Sequence, residues 1–199
     1  MRPILLLLSL SALSHAATVS ATLQSVDPRL TVTGANGSGQ TSIISGQLNF
    51  NQFHAFCVET SQTVNFGETI AYTPVAYWDK PHGDTVARIV SMYLHSIQTP
   101  LEAASAQWAI WEIMANEGNN LAAGGVRINA SQSSIVARGT AYLTQYNGYT
   151  PASVQFMESP TRQDMVAFDS TSAIPEVTPN AALLFAIAIS SLTYRRRSR

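Results

Sequence analysis

The first half of the chain alternates apolar and polar residues with a period of two, the pattern of half-buried β-strands. The alternation is clearest over residues 45–59, where it puts Phe53 and Cys57 on one face of a predicted strand and His54 and Phe56 on the other. Shorter β-branched or aromatic runs predict further strands at residues 17–23, 29–32, 41–44, 63–66, 70–78, 154–156 and 165–168.

Between these strands the period changes to that of α-helices. Asp84 is placed to cap a first helix, and Thr99, Pro100 and Glu102 form the capping-box start of a second. Residues 131–146 predict a third helix. We therefore expect an α+β fold, with a β-rich sandwich or barrel-like N-terminal part and a helical insertion.

The start of the chain is typical of a secretory signal peptide. Arg2 gives it a positive charge, residues 4–13 are almost wholly apolar, and small residues up to Ala17 fit a cleavage site. We therefore predict that residues 1–17 are removed on export. Residues 18–170 then form one extracellular domain, whose length suits a single buried core.

The chain closes with a Pro-Glu pair, a short apolar run and a basic tail. The apolar run over residues 181–194 is predicted to enter the membrane, although it is shorter than the roughly twenty residues that comfortably span a bilayer. Basic residues after such a run favour the cytoplasmic side. An ordinary single-pass anchor is one interpretation of this end.

The same layout resembles the PEP-CTERM sorting signal of Gram-negative bacteria, which would occupy residues 171–199. Val177 stands where the second proline of that signal belongs. The resemblance implies cleavage near the Pro-Glu pair by exosortase, a cysteine protease of the inner membrane. The protein would be anchored there briefly and then reach the cell surface or the extracellular matrix. The residues that carry this signal are Pro175, Glu176, Arg195, Arg196 and Arg197.

The region between the two ends is acidic. All twelve acidic residues of the chain lie between Asp27 and Glu176, and six basic residues in the same stretch leave a formal charge of −6. Because nucleic-acid binding depends on neutralising phosphates with Lys and Arg, we expect no nucleic-acid partner. His82 and His95 are isolated, whereas a metal site needs three or four converging ligands, so we expect no metal and no other cofactor.

Cys57 is the only cysteine, so it cannot form an intramolecular disulfide and is either inert or reactive. Gln107 follows among tryptophans, in the middle of an apolar stripe of the second predicted helix. A thiol and a primary amide held together away from water can expel ammonia and close into an internal thioester. An amine or a hydroxyl can then attack the thioester carbonyl. A core glutamine that only caps a strand edge by hydrogen bonds is the simpler alternative.

Two motifs resemble those of the bacterial surface thioester domain, namely Phe56-Cys57-Val58-Glu59 and Gln107-x-Ala109-Ile110-Trp111. The resemblance implies that Cys57 and Gln107 form a thioester cross-link and attach the protein covalently to a partner. Such attachment happens once, without turnover, so we do not expect an enzyme. Glu59 is a candidate proton acceptor for the thiol. The residues expected to shield or support the bond are Phe56, Glu59, Trp108, Ile110 and Trp111.

Two other functions stay open. The chain could be a non-covalent structural or binding module of the envelope or biofilm matrix, in which Cys57 and Gln107 only pack. A cysteine-dependent hydrolase or acyltransferase would instead need a base such as His54 or His95. The strand alternation points His54 away from Cys57, which argues against the hydrolase.

Overall fold

The strands form one mostly antiparallel sheet that closes on itself. The computed structural model describes residues 18–37, 39, 41–115 and 118–168, and within them the sheet has seven strands in the order β2-β3-β7-β6-β4-β1-β5. The strands are β1 (Val19–Asn36), β2 (Ser42–Phe50), β3 (His54–Cys57), β4 (Thr69–Ala76), β5 (Val126–Ile128), β6 (Gln155–Glu158) and β7 (Met165–Phe168). Because β1 also pairs with β2, six of these strands make a barrel-like ring.

The long strand β1 closes the ring. Residues Val19–Thr22 pair with β4, the stretch from Leu23 to Thr33 pairs with β2, and Gly34–Asn36 pair with β5. Two register shifts interrupt the β1–β2 ladder. Such bulges bend a strand, which lets β1 pair with β4 in its first part and with β2 in its middle part. The α+β class expected from the sequence is therefore confirmed.

Several predicted strands differ from the observed ones. The runs at 17–23 and 29–32 belong to the single strand β1. The run at 45–59 is divided into β2 and β3 by a tight turn, in which the Phe50 N–H donates to the Phe53 carbonyl at 2.9 Å. Residues 63–66 form a loop, so that strand prediction is wrong, and the short strand β5 was not predicted.

The described part of the chain has three α-helices, namely α1 (Gly83–Leu94), α2 (Pro100–Ala115) and α3 (Ser133–Gln145). Helix α2 packs against the strands, and α1 and α3 pack against α2. The cap predicted at Asp84 is wrong, because α1 begins at Gly83 after His82 in a left-handed conformation. Asp84 instead pairs with Arg88 within the helix. None of the helices in the described ranges has the length and hydropathy needed to cross a bilayer.

The predicted cap of α2 is confirmed in part. The Thr99 hydroxyl accepts a hydrogen bond from the Glu102 N–H at 3.3 Å. The Glu102 carboxylate does not complete the capping box. It accepts hydrogen bonds from Arg138 and Tyr142 instead, and so docks α3 against α2.

Helix α2 is buried on all sides rather than along one stripe, since every residue from Ala103 to Glu112 is buried. Its alanines let it approach the sheet closely. Trp108 fixes the contact, because its indole N–H donates to the Ser45 hydroxyl of β2 at 2.9 Å. This docking sets Gln107 against the end of β3.

Candidate functional site

Cys57 is the last residue of β3, at the point where the strand loses one neighbour. On one side it pairs with Met165 of β7, but the ladder with β2 ends at the Leu48–Ala55 pair. The backbone N–H and carbonyl of Cys57 therefore need partners from elsewhere.

Gln107 supplies both partners. The Cys57 N–H donates to the Gln107 side-chain oxygen at 2.9 Å, and the Gln107 amide nitrogen donates to the Cys57 carbonyl at 2.8 Å. The primary amide thus imitates the peptide group of a neighbouring strand. Gln107 is buried and both ends of its amide are used, which is the strand-edge role considered as the simpler alternative for this residue.

The sulfur of Cys57 contacts a different glutamine. The thiol donates to the side-chain oxygen of Gln163 at 3.1 Å, and both residues are 7 % exposed. Since a C=O bond is about 1.23 Å long, this contact of 3.1 Å puts the amide carbon of Gln163 within roughly 4.3 Å of the sulfur. The Gln163 amide nitrogen donates to the Glu59 carbonyl at 2.6 Å, so the amide is held at both ends.

Asp164 fixes the turn that carries Gln163. Its carboxylate accepts from the Ser159 N–H at 2.8 Å, and its carbonyl accepts from the Val58 N–H at 3.0 Å. Its own N–H donates to the Glu59 carboxylate at 3.3 Å. The β6–β7 turn is therefore tied to the segment that follows Cys57, and Gln163 is positioned by backbone contacts.

The site disfavours negative charge on the sulfur. Burial, and then the nearby carboxylate of Glu59, raise the pKa of the Cys57 thiol well above its ordinary range. Burial also raises the pKa of the Glu59 carboxyl. The cysteine is therefore a neutral thiol in the folded protein, and it can attack an amide only if its proton leaves during the attack.

A pocket of about 260 Å³ opens over the thiol. Cys57, Gln107, Gln163 and Trp111 are among the residues that line it. The other walls come from β1, from β2 and from the loop that follows β3. A small molecule or a protruding side chain could therefore reach the sulfur and the Gln163 amide without unfolding of the domain.

The predicted supporting residues have different positions. Trp111 lines the pocket, and Glu59 lies beside the thiol and holds the β6–β7 turn. Phe56 points to the other face of the sheet, where its ring stacks on Phe168 at 5.3 Å between centroids. Trp108 and Ile110 are fully buried and do not line the pocket.

The predicted histidines lie away from this site. His54 packs near Phe168 on the opposite face of β3, and His95 packs near Tyr149. The described residues contain no cluster of His, Cys, Asp or Glu that could hold a metal ion. The predicted signal peptide and sorting signal lie outside the described residues, Pro175, Glu176 and the arginines from Arg195 included.

Gln163 is the residue that sequence reasoning missed. It lies in a polar turn, Arg162-Gln163-Asp164, which has no periodic pattern to mark it. The one available signal was its place two residues before the predicted strand at 165–168, because pairing of that strand with the Cys57 strand would bring the two side chains together. That pairing joins residues about a hundred positions apart, so it could not be predicted from the local sequence around either strand.

Comparisons with protein-family models, with curated proteins and with solved structures gave no significant match for this chain.

Proposed function

We propose that this chain is an exported envelope or matrix protein that attaches to a partner through an internal thioester formed by Cys57. The observation that carries the proposal is the contact of 3.1 Å between the Cys57 thiol and the Gln163 amide oxygen. The contact is buried, and both residues line a pocket of about 260 Å³. The pattern of the two chain ends supports export and sorting.

The geometry favours Gln163 over Gln107 as the acyl donor. Reaction at Gln107 would break two hydrogen bonds that satisfy the Cys57 backbone. Reaction at Gln163 follows an existing contact with the sulfur and gives up the hydrogen bond from the Gln163 amide nitrogen to the Glu59 carbonyl, which leaves the partners of the Cys57 backbone in place. Gln107 then acts as a positioning residue that holds Cys57 in place. The Cys57–Gln107 cross-link expected from the sequence stays a prediction, and the experiment below distinguishes the two.

The reaction balances without a cofactor. The Cys57 sulfur bonds to the amide carbon, the carbon–nitrogen bond breaks, and ammonia leaves with the proton that the thiol gives up. Because the pKa of the thiol is raised, proton transfer has to accompany the attack. Glu59 is the nearest candidate for a transient proton acceptor, since its charge acts on the thiol.

Intact mass tests the thioester. We expect the purified protein to be lighter by one ammonia and to gain one methylamine when treated with that amine. Peptide mapping should place the adduct on Gln163, and both signals should vanish in Cys57→Ala and in Gln163→Ala. The exposed Gln145→Ala change is the matched control and should leave both signals intact.

Other outcomes have clear meanings. An adduct on Gln107 would restore the pairing expected from the sequence. A full mass together with a titratable thiol in freshly purified, unchanged protein would contradict the proposal.

A full mass with a titratable thiol would favour a non-covalent module of the envelope or matrix. A specific observation supports that candidate, because Gln107 already has a complete structural role at the edge of β3.

Export and sorting need a separate test. We propose that exosortase in the inner membrane cuts near Pro175 and Glu176. Protein recovered from an exosortase-positive host should then lack residues 1–17 and the arginine-rich tail. Replacement of both residues by alanine should leave the tail in place, whereas a tail that is retained in the unchanged protein would contradict the proposal.

A further inference from the structure

Tyr72 lies across the ring of strands from Cys57. Strand β4, which carries Tyr72, is three places from β3 in either direction around the closed order β2-β3-β7-β6-β4-β1, so the two strands face each other. Directly paired residues share one face of a sheet, and such pairs connect Cys57 to Pro74 in one row through β7 and β6. Tyr72 is two residues before Pro74 and shares that face. The face is the interior, because Phe56 on the other face packs against Tyr93 of α1.

The Tyr72 side chain reaches across the interior to the side of β3. Its ring centroid lies 6.3 Å from that of Phe53, which precedes β3, and 6.0 Å from that of Phe50 at the end of β2. Burial raises the pKa of the Tyr72 phenol well above its ordinary range, and charge on the Cys57 sulfur is the next cause. The hydroxyl is therefore a neutral group within electrostatic reach of the thiol.

The Tyr72 hydroxyl is a buried donor without an acceptor. The residue is fully buried, and its oxygen meets no hydrogen-bond partner among the described residues. A buried tyrosine hydroxyl usually has a partner. A hydrogen bond that such a group forms only during a reaction therefore favours the transition state over the unreacted protein.

The side-chain oxygen of Gln163 loses its donor when the thioester forms. In the unreacted protein this oxygen accepts from the Cys57 thiol at 3.1 Å. When the sulfur bonds to the amide carbon, the thiol proton leaves while negative charge develops on the oxygen, and such an oxyanion needs an aimed donor. The backbone N–H groups of Cys57, Val58 and Asp164 already donate to other acceptors.

From these observations we infer that the Tyr72 hydroxyl donates a hydrogen bond to the Gln163 oxygen as negative charge develops on it, both when the thioester forms and when a nucleophile opens it. The inference rests on the proposed thioester. The Cys57 sulfur bonds to the Gln163 amide carbon, the carbon–nitrogen bond breaks, and ammonia leaves with the thiol proton. Tyr72 keeps its own proton throughout, and nothing is oxidised or reduced.

The rate of thioester formation tests the inference. Treatment of the full chain with ammonia returns the thiol and the Gln163 amide, and after the ammonia is removed, renewed loss of one ammonia is followed by intact mass. We expect Tyr72→Phe to slow this step about a hundredfold. The thioester that does form in this variant should also take up methylamine more slowly. Unchanged rates would overturn the inference.

Stability separates this role from a structural one. Tyr72→Phe removes a hydroxyl that has no partner, so in a Cys57→Ala background the melting temperature should stay the same or rise. Tyr93→Phe is the matched control, because Tyr93 is equally buried and its hydroxyl donates to Gln47 at 2.9 Å. The control should lower the melting temperature and leave the rate of thioester formation unchanged. A lower melting temperature with Tyr72→Phe would indicate a structural role and overturn the inference.

Failure of the thioester can be told apart from failure of the inference. If freshly purified, unchanged protein has not lost ammonia, the proposed function fails and the inference fails with it. A methylamine adduct on Gln107 would leave a thioester standing and overturn the inference, because the Gln107 oxygen already accepts from the Cys57 N–H. An adduct on Gln163 that forms equally fast in Tyr72→Phe would overturn the inference alone.

Discussion

Cys57 contacts two glutamine side chains, and each contacts a different part of the residue. Gln107 satisfies the backbone, and Gln163 faces the sulfur. The two roles predict different consequences for the same type of substitution.

Gln107→Ala should lower the free energy of unfolding by about 2–4 kcal/mol, because two buried backbone groups lose their partners. The loss should persist in a Cys57→Ala background, where no thioester can form. Urea denaturation measures it. Gln145→Ala, at an exposed site, should stay within about 0.5 kcal/mol of the unchanged protein. A comparably small effect at Gln107 would contradict the strand-edge role.

Glu59→Gln should make the Cys57 thiol more reactive. The Glu59 carboxylate raises the pKa of the thiol, so its removal should lower that pKa and increase the thiolate fraction at a given pH. After methylamine treatment, which leaves a free thiol, alkylation above neutral pH should be about two- to tenfold faster. Asp79→Asn, which removes an exposed carboxylate, is the control. An alkylation rate unaffected by Glu59→Gln would exclude this electrostatic effect.

Helix α2 and strand β1 depend on a close approach at Gly34. A Cβ added there would collide with the Arg127 carbonyl of β5 and would lie 2.8 Å from the Trp108 ring. Since Trp108 fixes α2 against β2, the strain would spread to the helix that carries Gln107. Small size at Gly34 is therefore a requirement of the site as well as of the fold.

Gly34→Ala should destabilise the protein by about 1–3 kcal/mol, the usual cost of forcing extra atoms into a packed interior. Thermal unfolding measures the change. Gly148→Ala is the control, because a Cβ at that position would meet nothing within 4 Å. Equal melting temperatures for the two variants would show that β5 and Trp108 move aside freely.

Local elements were largely predictable, and their pairing was not. The alternation around Cys57 and the cap at Thr99 are local patterns, and both correspond to observed structure. The break between β2 and β3 follows from a turn that has no glycine or proline, so only asparagines such as Asn51 marked it in the sequence. Gln163 reaches the sulfur only because β7 pairs with β3, a contact set by the closure of the whole ring.

The tie between the β6–β7 turn and the segment after β3 also makes stability depend on pH. Burial raises the pKa of Asp164 above its ordinary value of 3.8. The folded state therefore binds this proton more tightly than the unfolded state. Its contribution to stability is present below the unfolded pKa and is lost as pH rises through the folded pKa.

Asp164→Asn tests this dependence, because an asparagine oxygen can still accept from the Ser159 N–H. The unchanged protein should lose stability relative to the variant as pH rises from below 3.8 toward neutrality. Urea denaturation across this range measures the difference. Gln145→Ala, which changes no titratable group at an exposed site, is the control. A difference that stays constant with pH would contradict the raised pKa.

The position of β7 has a mechanical consequence. The strand lies between β3 and β6, and Gln163 comes two residues before it. A partner joined to Gln163 would pull on one end of β7, while a tether in the residues beyond Phe168 would pull on the other. Tension would then run through the covalent backbone of this short strand, and the helices and the rest of the ring would bear almost none of it.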